Sequence, residues 1–299
     1  MPNVTEASLD RYTTRPMPQV EGVEHCFIEA GGVDIHVAVA GEGAPVLLIH
    51  GYPQHWFLWR RLIPALARER RVISPDLRGF GWSEAPAEGY DKETLTRDVL
   101  AVMDRLGIER VPVVGHDWGG WIGFLLCLRA PERFDRFLAL GIVHPWQTPG
   151  GWRDLPRYTY QQVIAAPGLG YALHRRGAFV RLALRRGTAD PATFDDRTAA
   201  AFADNLAQPA RARACVRMYR TFLTRELLPL IRGRYLGTRL RVPTHLVLGT
   251  GDPVLTERRL AGYEQHTDSM TAEMIADCGH FIADERSDVV LDRARELFA

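Results

Sequence analysis

The stretch that most constrains this chain is Val111-Pro112-Val113-Val114-Gly115-His116-Asp117-Trp118-Gly119-Gly120. The apolar run at 111–114 reads as a short buried strand, and an apolar, helix-like segment from Trp118 to Leu128 comes directly after it. A strand that turns directly into a helix forces its apex residue into a crowded backbone conformation. Small residues on either side relieve the crowding, and Gly115 and Gly119 hold those places around Asp117. Taken alone, the pattern would be read as a tight turn with Asp117 capping a helix. Its partners elsewhere in the chain decide against that.

Such a nucleophile elbow ordinarily presents a serine. An aspartate has no proton to lose and attacks as a carboxylate. Attack on an ester or amide carbonyl would give a high-energy anhydride. Attack on an sp³ carbon bearing a leaving group gives an alkyl ester that water can cleave. Covalent catalysis through Asp117 therefore points to an epoxide or an alkyl halide as the electrophile.

The rest of the chain alternates strand and helix around this point. Segments 25–30 and 35–40, separated by Gly31-Gly32, predict a β-hairpin, and strands are expected at 45–50, 71–75 and 134–143. Helices are expected at 56–69 and 93–106. From His144 to about Arg239 the alternation gives way to helical pieces broken by proline and glycine. It resumes with a strand at 244–249, a helix at 257–265, a strand at 272–275 and a last helix at 288–298. The reading is an α/β fold: a mostly parallel sheet with helices on both faces, a core of residues 1–143 and 240–299, and a helical cap of 144–239 over the sheet's carboxyl edge.

A length of 299 residues with 46% apolar residues supports a sizeable core. A net charge of +1 argues against nucleic acid as a partner, and no apolar run is long enough to span a membrane. The polar start of the chain lacks the apolar core of a signal peptide, and four dispersed cysteines read as reduced thiols, so a cytoplasmic protein is expected. Between 144 and 241 there are 17 arginines and six acids, which we read as a basic cap complementing an acidic core. Lys92 is the only lysine, which by itself reads as coding bias.

Three further positions complete the chemistry. His280, in Cys278-Gly279-His280-Phe281, comes after the last strand and so ends on the same edge as Asp117, where it can activate water. Asp252, in Gly251-Asp252-Pro253, comes after the preceding strand and can orient that histidine. The amides of Trp118 and of Tyr52, in His50-Gly51-Tyr52-Pro53, are placed to hold a tetrahedral oxyanion.

These motifs, with Asp76 to Ser83, resemble the epoxide hydrolase group of α/β-hydrolases from about residue 24 to the C-terminus. Haloalkane dehalogenases share the Asp elbow and the adjoining Trp, so the core motifs alone do not separate the two. The resemblance implies two cap tyrosines that assist epoxide opening. Tyr160, in Tyr160-Gln161 ahead of Pro167-Gly168, and Tyr219, in Met218-Tyr219-Arg220, occupy the matching places; Tyr158, Tyr171 and Tyr235 compete for the role. A dehalogenase would favour Asn at the Tyr52 position, although Trp146 and Trp152 could serve a halide. Trp118, Gln161, Trp146 and Phe281 are expected to line the pocket. The implied partner is a small apolar or aromatic epoxide, acted on by a monomer or homodimer without cofactor or metal. The alternative from another class is a non-catalytic ligand-binding protein of the same fold.

Overall fold

Eight strands form one sheet in the computed structural model, which describes residues 15–146 and 159–298. The hairpin is present: β1 (Val23–Ala30) and β2 (Val33–Ala40) pair antiparallel across Gly31 and Gly32, whose φ values are 61° and 79°. Only glycine takes such values without strain. Six strands then run parallel: β3 (Pro45–Ile49), β4 (Arg71–Pro75), β5 (Val111–His116), β6 (Phe134–Leu140), β7 (Thr244–Gly249) and β8 (Met270–Ile275). Their spatial order is β1-β2-β4-β3-β5-β6-β7-β8. The order doubles back at β3, which has β4 on one side and β5 on the other. A crevice opens at the carboxyl ends of β3 and β5, where ligands bind in sheets of this kind.

Successive strand residues face opposite sides of the sheet, and both sides are apolar. Leu47, Ile49, Val113 and Phe137 join α1 (Lys92–Arg105) and α2 (Trp118–Arg129) on one face. Val46, Leu48, Val114 and Leu138 join Trp56, Trp59, Leu62 and the C-terminal helix Ser287–Phe298 on the other. Asp91 caps α1 by accepting the Thr94 N–H at 2.9 Å, a contact worth about 1 kcal/mol.

Three expected elements differ. The helix expected at 56–69 is a 3₁₀ segment, Trp56–Arg61, and then one α turn, Ile63–Leu66, with Pro64 in its first turn. Proline brings no N–H to continue the ladder, so the two pieces stay separate. The helix expected at 257–265 is two single 3₁₀ turns, Glu257–Arg259 and Glu264–His266, with Gly262 at φ 96° between them. Strand β6 ends at Leu140 rather than Val143, because Gly141 turns the chain at φ 57°.

Between β6 and β7 the described residues hold helices and no strand of the sheet: α3 (Thr159–Ala165), α4 (Leu169–Arg175), α5 (Ala178–Arg186), α6 (Asp196–Leu206), α7 (Pro209–Thr221) and α8 (Leu227–Ile231). This insertion is seated on the loop after β4. Asn205 donates to the Gly81 carbonyl at 3.1 Å and Arg217 to that of Pro86 at 3.1 Å. A Cβ on Gly79 would lie 2.5 Å from that of Ala214, so the glycine lets α7 approach closely.

Candidate active site

Asp117 sits between β5 and α2 at φ 52°, ψ −122°, a conformation that costs about 1–3 kcal/mol in a non-glycine residue. The surroundings enforce it. A Cβ on Gly119 would lie 2.1 Å from the Ile49 carbonyl oxygen, and one on Gly51 would lie 2.4 Å from Asp117 Oδ1. Glycine at both places lets β3, the turn after it and the head of α2 meet around the carboxylate. The Tyr52 N–H donates to Asp117 Oδ1 at 2.7 Å. Trp118 is the first residue of α2, so its N–H has no carbonyl partner within the helix.

His280 faces the other carboxylate oxygen, with Nε2 3.6 Å from Asp117 Oδ2. Its Nδ1 donates to Asp252 Oδ2 at 2.8 Å. Asp252 Oδ1 accepts the N–H groups of Val254 and Leu255 at 2.7 and 2.9 Å. Burial by itself raises the Asp252 pKa, but the His280 charge and hydrogen bond and the two amides outweigh it, so the carboxyl is held below its usual range. Burial by itself lowers the His280 pKa. The charge of Asp252 and the pairing with Asp117 outweigh it, and the imidazole is pushed up to about 10.

Several contacts hold the histidine in place. The His280 N–H donates to the Gly187 carbonyl at 2.6 Å, and its own carbonyl accepts His116 Nε2 at 2.8 Å. Glu285 accepts the Gly279 N–H at 3.0 Å and the Ala189 N–H at 2.7 Å, joining the histidine's loop to the insertion. Burial is the main reason that His116 is lowered to about 4 and stays neutral.

The tyrosines gather on the insertion side. Tyr219 is buried on α7, with its ring edge-on to Tyr52 at 5.2 Å, Trp118 at 5.8 Å and Tyr160 at 6.2 Å. Its hydroxyl makes no hydrogen bond among the described residues. Burial first, then Tyr160 and Asp117, raise its pKa well above the ordinary value, so it stays a proton donor. The Tyr160 hydroxyl accepts Gln161 Nε2 at 3.3 Å. The Tyr52 hydroxyl is committed elsewhere: it donates at 3.0 Å to Nε2 of the buried His174, whose Nδ1 donates to the Gly170 carbonyl at 2.6 Å.

Of the competing tyrosines, Tyr235 packs on Trp121 and Tyr171 lies under Arg213; Tyr158, like Trp152, falls outside the described residues. Trp146 stacks on His266 at 5.3 Å, meets Phe124 edge-on and donates to Thr238, and none of these groups touches Asp117. Phe124 lies nearly two turns along α2 from the apex, so Trp146 packs there instead. Phe281 packs edge-on against His280 at 5.1 Å and against Phe194 at 5.4 Å. Phe222, from the insertion, meets the Trp118 ring edge-on at 4.9 Å. Sequence reasoning assigned no part to His174, Glu285 or Gly187, whose contacts join segments far apart in the chain. Lys92 did carry a signal, as the sole lysine.

A family model for the alpha/beta hydrolase fold matches residues 44–287. The chain belongs to the α/β-hydrolase fold family. Among its α/β-hydrolase relatives, the soluble epoxide hydrolase of Corynebacterium sp. (strain C12) is 31% identical over 93% of this chain and 98% of its own. Haloalkane dehalogenase 2 of Mycobacterium bovis is 34% identical over 58% of this chain and 59% of its own. The solved structure titled "Epoxide hydrolase CorEH without ligand" superposes with a TM-score of 0.82 at 27% identity, over 92% of this α/β-hydrolase and 98% of that chain. Among the described residues no helix is long and apolar enough to cross a membrane.

Proposed function

We propose that this α/β-hydrolase converts an epoxide to a vicinal diol, with residues 144–239 as the cap over its site. The observation that carries the reading is an elbow carboxylate, Asp117, held by the Tyr52 amide and faced by His280, beneath a tyrosine, Tyr219, whose hydroxyl has no partner among the described residues. An epoxide oxygen is a poor leaving group until it is protonated, and Tyr219 and Tyr160 supply the acids.

With Oδ1 on the Tyr52 amide, Oδ2 is the attacking atom. It forms a bond to one epoxide carbon while the ring C–O bond breaks, and the departing oxygen takes a tyrosine proton. Esterification removes the Asp117 charge, so His280 passes its proton to the tyrosinate; the neutral imidazole then removes a proton from water, which adds to the Asp117 carboxyl carbon. The tetrahedral oxyanion rests on the Tyr52 and Trp118 amides. Collapse breaks the bond between that carbon and the alkyl oxygen, which takes the proton of the added hydroxyl; the diol leaves and the carboxylate is restored beside a protonated His280. Asp252 holds the His280 tautomer that leaves Nε2 as the base.

A haloalkane dehalogenase is the second reading. The buried Trp118 indole N–H, which has no hydrogen-bond partner among the described residues, favours it. The test is the intact mass of His280→Gln after incubation with styrene oxide and, separately, with a primary bromoalkane. An added mass equal to the whole epoxide, mapped to the Asp117 peptide, is expected. An adduct from the bromoalkane alone would move the assignment to a dehalogenase, and no adduct from either would leave a ligand-binding role. In the same assay Tyr219→Phe should slow adduct formation by about 10²–10⁴-fold, the usual contribution of one general acid.

A further inference from the structure

The chain's single lysine is buried beside the nucleophile. Lys92, the first residue of α1, is 1% exposed, and its ammonium lies 4.2 Å from the centre of the Trp118 ring and 5.4 Å from that of Phe222. One carboxylate holds it twice: the Lys92 N–H donates to Glu226 Oε1 at 2.8 Å and Nζ to Oε2 at 3.2 Å. Phe222 and Glu226 are the two ends of a π-helical turn between α7 and α8, marked by the Leu227 N–H bonding the Phe222 carbonyl. Widened turns of this kind are rare and often mark functional sites.

Trp118 is therefore gripped by both parts of the molecule. The cation of the core helix lies against its ring, and Phe222 of the insertion meets it edge-on. Burying an ammonium is costly even when it is paired. An ion pair serving only to fasten the insertion could sit at the surface, as that between Arg234 of the insertion and Glu93 of α1 does with side chains 39% and 23% exposed. Lys92 instead places its charge on the aromatic face of the residue whose amide adjoins Asp117, close enough for the two charges to interact.

We propose that Lys92 is a positioning residue for the alkylation step: held by Glu226, its ammonium clamps the Trp118 ring and thereby fixes the Trp118 amide and the Asp117 carboxylate. The proposal rests on the epoxide-opening reading above. A desolvated cation on an indole has the strength to shift a rate about tenfold.

The test measures the single-turnover rate of adduct formation with styrene oxide, together with the epoxide concentration at half-saturation. The variants, each in the His280→Gln background, are Lys92→Met, Lys92→Arg and the paired change Lys92→Met/Glu226→Met. The paired variant removes both charges, so no carboxylate is stranded. It is expected to melt near the parent temperature, yet to alkylate about tenfold more slowly with little change in half-saturation. Lys92→Arg, which keeps a cation, should alkylate faster than Lys92→Met. Parent-like alkylation by the paired variant would overturn the proposal and leave a fastening role only. Should the paired variant fail to fold, equal rates for Lys92→Arg and Lys92→Met would overturn it equally. Absence of an adduct in the His280→Gln parent would instead sink the epoxide-opening reading.

Discussion

Asp117→Asn should abolish turnover, by about 10⁴-fold or more, and should at the same time lower the His280 pKa from its raised value near 10. The two effects share one cause. In the proposed reaction the carboxylate is the nucleophile, and it is also one of the two anions that face His280, Asp252 being the other. An amide of the same shape keeps the packing and removes the charge, as esterification does during the reaction. In the proposed reaction the resting histidine is thus a charged partner that becomes a base only once Asp117 has been alkylated. Nitrogen-15 NMR of labelled histidine in both proteins checks this directly, and an unchanged His280 titration would refute the coupling.

The same shift sets the sign of the stability effect. A folded pKa raised above 6.5 contributes stability that is complete below pH 6.5 and is lost as the pH rises through about 10. The wild-type protein should lose this contribution across that window, and Asp117→Asn should lose less of it. Melting temperatures of both proteins measured between pH 6 and 10 would show the difference.

Asp252→Asn is expected to slow hydrolysis of the Asp117 ester by about 10³–10⁴-fold while leaving alkylation nearly intact. Asp252 Oδ1 is committed to the Val254 and Leu255 amides, so the other terminus of the side chain must face His280 Nδ1. In asparagine that terminus is an NH₂, which needs an acceptor at Nδ1. The imidazole would then carry its proton on Nε2, where it cannot take one from water. Ester should accumulate during turnover, and quenched-flow mass measurements would detect it. A variant that slowed alkylation and hydrolysis equally would instead mean that Asp252 only shapes the fold.

That Asp117, His280 and Asp252 meet was legible in the sequence because each lies just past the end of a strand, and parallel strands bring their carboxyl-end loops to one edge of the sheet. Asp117, Asp252 and His280 come after β5, β7 and β8. The hairpin was legible for a similar reason, since two glycines admit one local geometry. The rest depended on long-range packing. Trp146 and Phe281 are aromatic and near the site in sequence, but which way a ring turns is set by partners such as His266 and Phe194 from distant segments. The segment 56–69 has helical apolar spacing, yet Pro64 interrupts it, and Gly262 interrupts the helix expected at 257–265. The place of Lys92 was not legible, because a count of one lysine says nothing about burial and the ring it rests on is 26 positions away.

The joint formed by Gly187, Ala189 and Glu285 bears on how this scaffold can be re-engineered. The His280 N–H hangs from the Gly187 carbonyl, and Glu285 ties Gly279 to Ala189. On the proposed reading, the base therefore takes its alignment from the same segment that serves as the cap. Transplanting the insertion of a relative to alter substrate preference would also change the hydrolytic half of the cycle. A chimera intended to change selectivity alone should retain residues 187–189 of this chain, so that the recognition module can be exchanged without detuning the catalytic one.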